Sequence, residues 1–202
     1  LADLPPLTGW AIDIGAHIGT VAVALAMDHP SLRVVAVEAL PENIAMSERN
    51  VALNGLGDRV EVIAAAASSE AEYIARALVP ITYGWSQAQN QPDNYMHDAR
   101  FIGGMVGPNE TSTTIACSAL SLGAILDRYD IDEVALLKID CEGCEWFFLT
   151  SPAIAKVNLI YGEMHTGSHG QLADLHRLLD PTHVVTVEKP WDSVTLFRAV
   201  RR

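Results

Sequence analysis

Ala11-Ile12-Asp13-Ile14-Gly15-Ala16-His17-Ile18-Gly19-Thr20 is the stretch on which the reading turns, with Val21-Ala22-Val23-Ala24-Leu25-Ala26-Met27 directly after it. A short apolar run ending in an acid reads as a buried strand, the glycines as a tight turn, and the Ala- and Val-rich segment as a helix packed on a sheet. A strand–turn–helix unit of this form places a small ligand at the carboxyl end of the strand, against the helix N-terminus. A dinucleotide loop requires Gly-x-Gly-x-x-Gly, so that a pyrophosphate meets bare backbone at the second glycine. That position is His17 in this chain. The remaining Asp-x-Gly-x-x-x-Gly suits a cationic amino-acid tail near Asp13 and a nucleoside without phosphates. S-adenosylmethionine fits that description better than NAD. Asp13, Gly15, His17, Gly19 and Thr20 are therefore expected to line a cofactor loop.

The next strand, Leu32–Val37, ends in Glu38, 25 residues beyond Asp13. An acid at that tip accepts hydrogen bonds from ribose hydroxyls. It serves NAD and S-adenosylmethionine equally, so Glu38 predicts a nucleoside without choosing between them. Solvated strand-end carboxylates are the plain alternative for each acid alone, and their shared placement around one glycine loop argues against it.

Working outward, Val/Ile/Leu-rich strands are expected near 10–14, 32–37, 59–63, 134–140 and 157–163. Helices are expected near 19–28, 41–54, 118–129, 144–151 and 169–179. Pro41 opens one helix and Gly55 follows its last turn. Strands near 183–188 and 194–200 lack an intervening helix and read as a hairpin through Lys189-Pro190-Trp191-Asp192. The alternation predicts an α/β protein with a mostly parallel sheet covered by helices on both faces. Its 202 residues suit a single domain. Residues 79–112 hold prolines and glycines interleaved with Tyr83, Trp85, Tyr95 and Phe101, without a period of 2 or 3.6. They read as a long loop, and the aromatics favour a binding lid over a disordered insertion.

The chain carries 13 Lys plus Arg against 25 Asp plus Glu, a formal net charge of −12. It has no basic patch beyond the terminal Arg198, Arg201 and Arg202, which disfavours nucleic acid as a partner. No apolar run approaches the ~18–20 residues of a membrane span. The chain opens on Leu1 without a signal-peptide pattern, which leaves room for a preceding segment. Cys117, Cys141 and Cys144 are an odd set, and reduced thiols in the cytoplasm are expected. Association of several copies of the chain is left open.

Leu136-Leu-Lys138-Ile-Asp140-Cys-Glu142-Gly143-Cys-Glu145-Trp146 brings charge to the end of a buried strand, where it must be paired or functional. Asp140 leads into the cleft, and Lys138 shares its face. Glu145 reads equally as a first-turn helix acid or a catalytic group. The following strand ends in Glu163 and His165 at alternate positions, hence on one face. A histidine there suits proton removal from a hydroxyl, and a neighbouring carboxylate can orient it. Cys141-x-x-Cys144 has no second pair to complete a metal site, and small buried side chains are expected there. Asp140, Glu163 and His165 together could also hold Mg²⁺, an alternative to which the sequence does not commit.

The Asp13–Thr20 loop, Glu38-x-x-Pro41-x-Asn43, Arg49-Asn50-x-x-x-Asn54, Lys138-Ile-Asp-x-Glu-Gly-x-Glu145 and Glu163-x-His165 occur in an order that resembles the FkbM-type methyltransferases. The resemblance covers about residues 10–165, and its Asp-x-Glu-Gly-x-Glu element is its most specific part. It implies a Rossmann-like class I methyltransferase fold with a seven-stranded, mostly parallel sheet and an antiparallel C-terminal hairpin. It also implies methyl transfer from S-adenosylmethionine, commonly to a hydroxyl of a natural product or sugar. Asp13, Gly15 and Gly19 match the cofactor loop, Glu38 the ribose acid, and Asp140, Glu142 and Gly143 the active-edge motif. His17 departs from the smaller residue usual there, and 79–112 departs in length. The expectation is an O-methyltransferase acting on a small-molecule hydroxyl, with His165 as base, Glu163 orienting it, and Asp140 at the junction of cofactor and acceptor. An NAD-dependent oxidoreductase and a catalytically silent S-adenosylmethionine-binding module are the rival classes.

Overall fold

Seven strands line up in the order His183–Pro190, Val194–Arg201, Leu159–His165, Leu136–Ile139, Gly9–Ile14, Leu32–Glu38, Val60–Ala64, in a computed structural model that describes residues 4–71, 78–86, 91–93, 112–141, 143–165, 170–190 and 194–202. The central strands β1 (Gly9–Ile14), β2 (Leu32–Glu38), β3 (Val60–Ala64), β8 (Leu136–Ile139) and β9 (Leu159–His165) are mutually parallel. β11 (Val194–Arg201) runs antiparallel to β9 and to β10 (His183–Pro190), which closes the edge as the sequence predicts. The strand run reads as almost continuously apolar because both of its faces are covered. Ile12, Ile14, Val35, Val37, Leu137 and Ile139 pack on one face, while Ala11, Val34, Ala36 and Leu136 pack on the other.

Helices α1 (Thr20–Asp28) and α2 (Pro41–Leu53) follow β1 and β2 as expected. The helix expected from residue 118 begins later, as α3 (Leu122–Tyr129). Ser121 is its N-cap, accepting a hydrogen bond from the Ala124 N–H, which satisfies one of the orphan donors of the first turn. Residues before the cap are drawn into strand pairing: β7 (Ser112–Leu120) runs antiparallel to β5 (Leu78–Ser86), and its end lies parallel to the short β4 (Ala66–Ala67). With β6 (Gln91–Asp93) these form a second, four-stranded sheet. The loop expected over 79–112 is thus corrected at its start, where β-branched residues such as Val79, Ile81 and Thr82 favour a ladder, and at 91–93 and 112. Its centre, with Tyr95 and Phe101 and the expected lid, lies outside the described residues, as do Glu142 and the hairpin residues Trp191 and Asp192. The helix expected over 144–151 is the short α4 (Glu145–Phe148), followed by a 3₁₀ turn at Pro152–Lys156, and α5 (Leu172–Leu179) precedes β10. Among the described residues, no helix is long and apolar enough to cross a membrane.

Candidate active site

The β1–α1 loop is held by backbone bonds before any side chain contributes. The N–H groups of Gly15 and Ala16 both donate to the Val37 carbonyl at 3.0 Å, and Gly19 N–H donates to Ala16 O at 2.8 Å. Gly15, His17 and Gly19 alternate in the left-handed region, with φ of +71°, +52° and +79°. Glycine adopts that geometry without the Cβ penalty, and a Cβ at Gly15 would lie 1.8 Å from the Asp140 carbonyl oxygen. The spacing Asp-x-Gly therefore reflects a close crossing of two chain segments. Asn50, on α2, donates its side-chain amide to Ile18 O at 2.8 Å and fastens the loop from outside. Thr20 opens α1 and is exposed, as is His17.

Glu38 is buried at the tip of β2. Its Oε2 accepts the His17 N–H at 2.8 Å, and its Oε1 accepts the Leu40 N–H at 2.9 Å and the Asn43 amide at 3.4 Å. The acid thus ties the glycine loop to the start of α2 before it meets any ligand. Beside it a cavity of about 470 Å³ is lined by Ala39, Pro41, Ile44, Ala64, Ile115 and Cys117 among others. Its walls are mainly apolar, and its volume lies within the range of small-ligand sites.

Asp13 is fully buried. Parallel register places it directly beside Lys138, whose Nζ lies 3.2 Å from Asp13 Oδ1. The ammonium directs its hydrogen bonds at Gly15 O (2.9 Å) and Ile14 O (3.5 Å) instead. Burial pushes the Asp13 carboxyl above the usual carboxylate range, and the neighbouring Lys138 charge only partly opposes it.

The tips of β8 and β9 carry the second group. Asp140, Glu163 and His165 each present a ligand-type atom within 4.8 Å of the others, as their places on adjacent parallel strands imply. The carboxylate nearest the imidazole is a different one from that expected. Glu145 Oε1 lies 3.1 Å from His165 Nδ1, whereas Glu163 Oε1 lies 3.8 Å from Nε2. Glu163, expected to orient the ring, is the more distant of the two, beyond hydrogen-bond range but within ion-pair reach of Nε2. Glu145 is fully buried and is no exposed first-turn acid. The motif had marked it, but its partner lies 20 residues away on another strand.

Cys141 and Cys144 are joined as a disulfide, with Cα atoms 5.6 Å apart. This corrects the expected reduced thiols, although both residues are buried as expected. Cys117 remains a buried thiol.

Comparison with known proteins places this geometry. A family model described as the methyltransferase FkbM domain matches residues 13–183. The ribosomal RNA small subunit methyltransferase G of a Nocardioides species is 38% identical over 100 residues, covering 46% of this chain and 40% of the relative. The chain thus spans about two fifths of that protein's length. Precorrin-6y C5,15-methyltransferase from Geobacter metallireducens superposes with a TM-score of 0.55 at 12% identity, covering 98% of this chain and 82% of that one. TrmK of M. capricolum, solved with S-adenosyl-homocysteine, gives 0.55 at 11% identity, covering 99% and 65%. At these identities the structural likeness concerns the fold.

Proposed function

The chain belongs to the FkbM methyltransferase family, and on that premise we propose that it is an S-adenosylmethionine-dependent methyltransferase that methylates a hydroxyl of a small molecule, with His165 taking the proton. The observation that carries this reading is the imidazole at the β9 tip, backed by a buried carboxylate, on the same sheet as the cofactor loop's strand and one strand removed from it.

The cofactor set fits the chemistry of its ligand. Asp13 is a buried acid at the end of the loop's strand, paired with Lys138, and we assign it to the amino-acid tail of the cofactor. Glu38 and the apolar cavity beside it suit a ribose and its base. When bound, S-adenosylmethionine supplies a methyl group already activated by its sulfonium. The protein's own work is then alignment, exclusion of water and removal of the acceptor proton. Asp140 stands where these tasks meet, with its main-chain N–H on Ile14 O at 3.1 Å and its carbonyl against Gly15.

A divalent cation held by Asp140, Glu163 and His165 is a second reading, favoured by their clustering. Excess chelator separates the two: it leaves turnover unchanged if His165 acts as base, and abolishes it if a bound ion acidifies the hydroxyl.

RNA is the main rival acceptor, since the Nocardioides relative is a ribosomal RNA methyltransferase. The net charge of −12 opposes it, because phosphate backbones are met by Lys and Arg surfaces. The test offers methyl-labelled S-adenosylmethionine with a panel of phenols, sugars and hydroxylated macrolactones, and in parallel with total ribosomal and transfer RNA. Label on a hydroxyl oxygen of the panel is expected. Label in RNA, with none in the panel, overturns the small-molecule reading.

A further inference from the structure

We propose that Glu145 is the positioning residue of the site: its carboxylate holds the His165 ring with the proton on Nδ1, which leaves Nε2 as the proton-accepting nitrogen. This rests on the reading of His165 as base and adds the residue that makes the ring competent for it.

Glu145 is fully buried, and both its oxygens already accept backbone N–H groups, Oε1 from Cys141 and Oε2 from Gly143, each at 2.8 Å. A backbone N–H can only donate, so the carboxyl group is an acceptor on both sides. The contact of Oε1 with His165 Nδ1 at 3.1 Å therefore takes its proton from the ring. A neutral imidazole has one N–H. With that proton on Nδ1, the lone pair belongs to Nε2, on the side of Glu163. The opposite tautomer would set two acceptors against each other at 3.1 Å beside a fully buried carboxylate, a costly arrangement.

The next residue completes the grip. Trp146 donates its indole N–H to the His165 carbonyl at 2.7 Å, so consecutive residues at the start of α4 hold both the ring and the main chain of His165. Trp146 is itself fixed from above by Gly170, where a Cβ would come within 2.7 Å of the indole. Glu145 thus meets the loop it follows and the strand 20 residues later with one side chain. A first-turn acid that served only the helix dipole would have no need of burial or of the third contact.

Nitrogen NMR of the full chain labelled with ¹⁵N-histidine tests this, at about pH 9, above the ordinary histidine range of ~6.5. The His165 signals are assigned by their loss in His165→Ala. In the wild type, Nδ1 is expected to carry the proton and Nε2 the lone pair. The reverse assignment in the wild type overturns the proposal without any Glu145 variant having to fold. In Glu145→Gln, a shift toward the Nε2–H tautomer is expected. Methyl transfer to the phenol, sugar and macrolactone panel should fall by about 10²-fold or more, with S-adenosylmethionine affinity by calorimetry unchanged. An unchanged tautomer in Glu145→Gln overturns the proposal. A changed tautomer with undiminished methyl transfer leaves Glu145 as the ring's anchor and overturns His165 as the base.

Discussion

At the tip of β2, Glu38 gives its oxygens to the N–H groups of His17 and Leu40, while at the tips of β8 and β9 the imidazole of His165 lies against the carboxylate of Glu145. Both regions stand at the carboxyl edge of the same sheet. The first is a site built from backbone, in which acids and glycines shape a loop. The second is built from side chains that meet only because β8 and β9 are neighbours. The contrast teaches where substitution is tolerated. In the first region an acid holds only its own loop and the helix start, and in the second Glu145 holds main-chain N–H groups and an imidazole with one carboxylate.

The largest effect separating the two regions belongs to His165. His165→Ala should lower turnover by about 10²–10⁴-fold while S-adenosylmethionine still binds, as single-turnover kinetics and calorimetry would show. A variant that keeps full activity in excess chelator breaks the proposed chemistry of the second region in both its forms.

Next in size is Glu38→Ala. It should weaken S-adenosylmethionine binding by about 1.5–3 kcal/mol through lost charge-assisted bonds. It also frees the His17 and Leu40 N–H groups, so the unliganded protein should melt earlier. Calorimetry that finds affinity unchanged would show that the acid serves the loop alone.

Asp13 links stability to pH. Its carboxyl titrates higher in the folded protein than its ordinary 3.8, chiefly because of burial. Between those two values the folded state holds a proton that the unfolded state has lost, so this residue's contribution to stability declines as pH rises through the window. Asp13→Asn lacks that decline. Denaturant titrations should therefore show the variant gaining on the wild type as pH rises from about 3.8 upward, and a constant difference would refute it.

The smallest effect is His17→Gly. His17 holds φ +52°, and glycine relieves that geometry at some cost in unfolded-state entropy. A gain of a few tenths to about 1 kcal/mol in unfolding free energy is expected, with cofactor affinity unchanged because Glu38 grips the main-chain N–H. A loss of affinity would move the imidazole itself into the cofactor site and blur the comparison.

The first region was largely legible in the residues. Asp13, Gly15, Gly19 and Glu38 lie close along the chain, and their geometry follows from turn chemistry and strand ends. Asn43 and Asn50 were visible within a motif, yet their bonds to Glu38 and Ile18 O needed α2 in place. The second region was half legible: the strand tips mark Asp140, Glu163 and His165, while the contact of Glu145 with Nδ1 needs α4 in place beside β9. Residues 118–120 were read as helix because their local composition permits it, and the ladder with β5 overrides that preference.

By itself the sequence determined the alternation of strands and helices, the glycine loop, the antiparallel finish and the buried acids at the ends of β1 and β2. Each of these rests on local forces: φ/ψ preference, side-chain period and the end of a buried strand. Tertiary structure alone decided that Lys138 lies beside Asp13, that Glu145 meets His165, and that 112–120 is a strand. Chiefly these depend on which segments the sheet order brings side by side. A residue's neighbours across a sheet are set by the packing of the whole chain, and local sequence places few limits on them.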